Sequence, residues 1–320
     1  VQTCALPISS IEIFSKIFAE ESRRAWTLLK SGKPLQRAYA RELLLKIPGQ
    51  CIACHTRNLS GPSFQDLSLN PTIDHLKSID KARFFAATRQ YDRAIKEFGQ
   101  VLSDPEAPRS RFNEWQEALR DSLAITVRVK QDPIATSQII EQVLKGQNVP
   151  FFIREDARAW KLSVQEWQSE GGRSVTTEEG LHSEAARLLA RAKETQKFPA
   201  DRAADILYLR ASARVHQLLQ HGKDARFTRE AYLMAGICYD VLRNFHLGEL
   251  NEAYFEACVR QAPHTDLSQA CFRRYEEAVY DGFTGSAGTS IPADLEQKLQ
   301  LLGGLAHPLP ETVASPQPRN

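Results

Sequence analysis

Residues 78–105 read SIDKARFFAATRQYDRAIKEFGQVLSDP, and this stretch decides the fold. Small and aromatic residues recur in it at helical spacing, with charges between them. Ala82 and Phe85 belong to a first helix, and Tyr91, Ala94 and Phe98 to a second. Pro105, which cannot continue a helix, closes the unit. Small residues let two helices approach closely, and the aromatics fill the groove beside them.

The offsets of this small-aromatic…Ala-x3-Phe…Pro pattern resemble a tetratricopeptide repeat. A second unit is built from Ala231, Tyr232, Gly236 and Tyr239, with a partner helix over 251–261 that ends at Pro263. It requires an insertion around residues 244–250. Between the two units, helical periodicity predicts helices over 111–129, 135–145, 153–170, 176–193 and 201–219. A further helix is expected from Pro292 to about Leu302, with Gly285 to Gly288 as a loop. No pair of strands with a turn signal is visible, so the fold class expected is all-α, a tetratricopeptide-like α-solenoid preceded by a helical hairpin. In that hairpin, Ile11–Lys30 and Leu35–Ile47 are the two helices, separated by Ser31-Gly32-Lys33-Pro34.

The hairpin runs into Cys51-Ile52-Ala53-Cys54-His55. Two thiols spaced C-x-x-C and followed at once by histidine are what covalent c-type haem attachment requires. Chance predicts about 0.003 such strings in a chain with this many Cys and His. Cys51 and Cys54 are therefore read as the haem thioethers and His55 as the proximal iron ligand. Three other readings compete. A thioredoxin-type dithiol wants a buried strand before it, and here a helix precedes. A structural zinc site needs four ligands, and the motif offers at most three. A local disulfide leaves the histidine unexplained. The sulfurs and the imidazole are expected to face a pocket lined by apolar residues of the first two helices.

For the sixth iron position, Met234 and His75, His182, His216, His221, His246, His264 and His307 are available. Met234 falls on the apolar face of a repeat helix, where packing is its natural role. An open sixth position is the other reading. Arg57, two residues past His55, is the first candidate to pair a haem propionate, with Arg37 and Arg41 on the preceding helix behind it.

A helix hairpin running into C-x-x-C-H resembles the monohaem cytochromes of the c-prime and b562-like four-helix group. Cys51, Cys54 and His55 match that group's motif, and Arg57 stands where a basic residue often follows. The resemblance covers residues 10–65, and the first half of such a bundle would lie upstream. Residues 1–9, VQTCALPIS, resemble a translated sequencing adapter, so Cys4 enters no pairing argument and the native start is expected further upstream. The division expected is 1–9 non-native, 10–72 haem-binding, 73–305 helical repeats and 306–320 a disordered tail.

Composition is that of an ordinary globular chain, with 42% hydrophobic and 25% charged residues. A formal net charge of +2 gives no argument for nucleic acid, and none is expected as partner. No apolar run is long enough to span a membrane. The haem reading implies a periplasmic location, because c-type haem is attached outside the energy-transducing membrane, and disulfides are allowed there. Cys258 and Cys271 lie at similar distances on either side of the turn at Pro263-His264-Thr265. In an antiparallel hairpin such positions face each other, so the two are read either as a disulfide or as buried free thiols. Cys238 is expected to stay free.

Three functions remain open on these residues. The first is an electron-transfer cytochrome with one haem c, whose solenoid docks a redox protein. The second is a haem-based sensor or scaffold with an open iron site. The third is a helical-repeat interaction protein without haem. No Ser-His-Asp set, Walker loop, H-E-x-x-H or G-x-G-x-x-G string occurs, so no enzyme activity is expected.

Overall fold

The computed structural model describes residues 10–56, 71–171, 175–242, 250–286 and 288–307. The fold is all-α, with fourteen α-helices among the described residues. The first two, α1 (Ser10–Lys30) and α2 (Pro34–His55), fold back on each other across a short connection in which Gly32 takes φ +73°. After a 3₁₀ turn at Pro71–His75 come α3 (Ser78–Ala87) and α4 (Tyr91–Ser103). Ala82, Phe85, Ala94 and Phe98 are all buried where these two helices meet, as the small-and-aromatic pattern requires.

The chain continues through α5 (Ala107–Ser110), α6 (Phe112–Ala124), a π-helical turn at Ile125–Val129, α7 (Pro133–Lys145) and α8 (Phe151–Ser169). Then follow α9 (Glu178–Thr195), α10 (Asp205–His221), α11 (Ala225–Val241), α12 (Leu250–Gln261), α13 (Asp266–Phe283) and α14 (Ala293–Ala306). Each long helix packs mainly on its neighbours in the chain: α3 on α4, α7 on α8, and α9 through α13 one upon the next. That is the contact pattern of a solenoid, in which each hairpin buries its apolar face against the next. One contiguous core extends from Ile52 to Ala306.

Capping explains several boundaries that periodicity alone misjudged. The Thr177 hydroxyl accepts from the Gly180 N–H, so α9 begins at Glu178 rather than Thr176. The Asp201 carboxylate accepts from the N–H groups of Lys197 and Ala203, which closes a turn and delays α10 to Asp205. Thr265 and Ser268 form a reciprocal capping box that starts α13. The loop expected at Gly285 to Gly288 is instead the tip of a two-residue ladder, β1 (Thr284–Gly285) with β2 (Gly288–Thr289). Gly288 at φ +104° permits that turn. The expected disordered tail lies outside the described residues from 308 onward.

At the far end, α12 and α13 are joined by the bonded sulfurs of Cys258 and Cys271, whose Cα atoms stand 6.1 Å apart. Cys238 is a buried free thiol, with its pKa pushed up to about 12 by burial.

Candidate haem-attachment site

The C-x-x-C-H string occupies the last turn and a half of α2. The helix does not stop at Ile47, as Pro48-Gly49 suggested, but continues unbroken to His55. A proline inside a helix removes one hydrogen bond and crowds the carbonyl four residues back, and tertiary contacts hold the segment beyond it despite that cost. Ile52 is 1% exposed and anchors this end of α2 in the core. Thr56 is buried, and its N–H and hydroxyl both donate to the Ile52 carbonyl at 2.8 Å. The Tyr91 hydroxyl donates to the His55 carbonyl at 2.9 Å. Packing of α2 on α3 completes the support.

Because the segment is α-helical, Cys51, Cys54 and His55 stand at positions i, i+3 and i+4 and share one face. Ile52, one residue on from Cys51, is turned about 100° away and takes the core side. Neither cysteine is in a disulfide; both are half-buried, and Cys54 packs against the core. Burial raises the pKa of the Cys51 thiol.

The His55 imidazole is held below its ordinary pKa, first by burial and then by the positive charge of Arg89, while a hydrogen bond with the Ala87 backbone works the other way. The ring is thus kept in the neutral form, which is the form that ligates metals. Its Nδ1 is buried and has no hydrogen-bond partner. Two cysteines outside any disulfide and a neutral imidazole with an unpartnered buried nitrogen, all on one helical face, fit the donor set of a covalently attached haem.

His55 meets the junction of α3 and α4: its ring bonds the Ala87 backbone and feels the charge of Arg89, and its carbonyl accepts from Tyr91. Arg89 holds φ 60°, a left-handed conformation forced by the tight turn between α3 and α4. Tyr91 has its pKa pushed up to about 12, chiefly by burial, so its hydroxyl stays protonated and donates. Neither residue was legible as part of the site. Tyr91 reads as a repeat aromatic, and a turn arginine carries no signal of what it faces.

Arg57 lies outside the described residues. Arg37 and Arg41 are exposed on α2, roughly 21 and 15 Å before Cys51 at about 1.5 Å per residue. Among the sixth-ligand candidates, Met234 packs against the solenoid core. His182 pairs with Glu230 at 2.6 Å, and His216 with the Tyr239 hydroxyl. His264 bonds the His307 carbonyl at 2.7 Å. His75 and His221 are exposed, and His246 lies outside the described residues. Among the described residues no group of three or more His, Cys, Asp or Glu side chains is arranged to hold a metal ion. No described helix is long and apolar enough to cross a membrane.

Comparison with known proteins matches this chain to no protein-family model, no curated protein and no solved structure.

Proposed function

We propose that this chain is a periplasmic c-type haem protein, with one haem c held by thioethers from Cys51 and Cys54 and with His55 as proximal iron ligand. One observation carries the reading: a C-x-x-C-H string on a single helical face, with neither cysteine in a disulfide and a buried His55 nitrogen unpartnered. Haem, when bound, supplies a one-electron iron couple. The chain's own residues do the rest. The two cysteines fix the group to the end of α2. Burial and Arg89 keep His55 neutral, and Tyr91 holds the backbone that carries it. Arg89 is the described cation beside the motif, and it joins Arg57 as a candidate partner for a propionate.

The role proposed is electron transfer, with the helical array docking a redox protein along its stacked surface. A second reading, a sensor or scaffold with an open iron site, is favoured by the engagement of Met234, His182, His216 and His264 elsewhere in the fold. A chain co-expressed with a c-type maturation system separates the two. Low-spin bands insensitive to carbon monoxide support electron transfer. High-spin bands that shift on carbon monoxide support ligand binding. A colourless protein leaves a helical-repeat interaction protein.

A further inference from the structure

The tip of the α1–α2 hairpin stands apart from the haem motif, with Arg41 about 15 Å and Arg37 about 21 Å before Cys51 along α2. From Arg23 to Arg41 it carries six basic residues, Arg23, Arg24, Lys30, Lys33, Arg37 and Arg41, and no acidic one. The whole chain has a formal net charge of only +2, so everything outside these nineteen residues sums to −4. All six basic side chains are exposed. Large apolar side chains are exposed among them: Trp26 at 59%, Leu35 at 82% and Tyr39 at 43%. Two of the aromatics are already paired with cations. The Lys30 ammonium lies 4.8 Å from the Trp26 ring centre, and the Arg24 guanidinium 5.3 Å from that of Tyr39.

We infer that this tip docks on an anionic lipid surface, with Leu35, Trp26 and Tyr39 entering the interface and the basic ring contacting headgroups. Trp and Tyr are the side chains that settle at a membrane–water boundary, where an apolar ring and a polar edge are both satisfied. Lys and Arg beside them add attraction to anionic headgroups. Composition favours a bilayer over an acidic protein: the most exposed apolar residue, Leu35, sits at the second position of α2 close to Lys33, and lysine is depleted from the cores of protein interfaces. The contact is peripheral, since no described helix can span. Cys51 lies sixteen residues beyond Leu35 on α2, about 24 Å along the helix, so docking would hold the motif clear of the lipid.

Flotation of the full chain with vesicles of phosphatidylcholine, with and without phosphatidylglycerol, tests this independently of haem loading. Binding is expected only to the anionic vesicles and is expected to weaken as salt is raised. Lys30→Gln with Lys33→Gln should weaken it roughly 30-fold, about fivefold per charge. Leu35→Asp should weaken it about tenfold or more. These positions are exposed, so circular dichroism should show an unchanged fold. Absence of binding to anionic vesicles overturns the inference, as does binding that both variants leave intact. Retention on immobilised polyglutamate without vesicle binding overturns it too, in favour of an acidic protein.

Discussion

Tyr91 at the start of α4 donates its hydroxyl to the backbone carbonyl of His55 at the end of α2, 2.9 Å away. The first repeat-like hairpin therefore holds the last turn of the helix that carries the C-x-x-C-H motif. Burial keeps that hydroxyl protonated. Tyr91→Phe removes the bond and leaves a shielded carbonyl unpaired, and is expected to cost about 1–2 kcal/mol. A lower denaturation midpoint with unchanged helix content would agree. An unchanged midpoint would mean that the bond does not hold the turn.

Arg89 depresses the His55 pKa, second to burial. Arg89→Ala is expected to raise it toward the ordinary histidine value without reaching it, because burial remains. Imidazole NMR titration of the haem-free chain reads this directly. The sign for stability follows from linkage. Above the unfolded pKa both states are neutral and His55 contributes nothing. As pH falls below about 6.5, the unfolded chain takes up the proton first, so stability declines until the folded value is passed.

Asp205 acts in the opposite sense. It is fully buried in a cavity of about 30 Å³ lined also by Arg120, Asp156, Trp160 and Arg202, and burial pushes its pKa up to about 7. Its Oδ1 has no hydrogen-bond partner, and the Arg202 guanidinium is 4.0 Å away. Asp156 beside it is raised to about 6 for the same first reason. In this window the folded state holds more protons than the unfolded one, so the carboxyls lose stability as pH rises from about 4 to 7. Asp205→Asn should flatten that slope and stabilise the fold at pH 8 relative to the parent chain. A slope unchanged by the substitution would count against this account.

Gly236 on α11 faces Phe255 on α12, and a Cβ there would overlap the Phe255 ring. Gly236→Ala is expected to destabilise by about 1–3 kcal/mol, the usual range for overpacking. Phe255→Leu in the same chain should recover part of the loss, because it removes the obstructing edge. No recovery would mean that the two helices meet differently.

The Cys258–Cys271 bridge closes a loop spanning a sequence separation of 13. In the chain-entropy model that stabilises by about 3 kcal/mol. Reduction is expected to lower the thermal midpoint and to leave far-ultraviolet dichroism native-like at low temperature. Two alkylatable thiols in non-reduced protein from an oxidising compartment would contradict the bridge.

Periodicity made the solenoid legible because Ala82, Phe85, Ala94 and Phe98 are buried at the spacing two packed helices demand. It failed where one residue's backbone rule met a stronger tertiary constraint. Pro48-Gly49 looks like a stop, yet Ile52 and Thr56 fasten the chain beyond it and α2 runs on to His55. Local turn chemistry overrides periodicity at Asp201, whose side chain delays α10. That Cys51, Cys54 and His55 come together was readable because the string is contiguous. Arg89 and Tyr91 were not, since they reach the motif only through the fold, 34 and 36 residues later.

The most direct test of the central claim is denaturing electrophoresis with haem staining, after expression with a c-type maturation system and acid–acetone extraction. The account predicts a stained band at the chain's own mass, an absorption spectrum of one haem per chain, and loss of both in Cys51→Ala with Cys54→Ala. A chain whose haem washes out, or a double variant that stains as strongly as the parent, would contradict it.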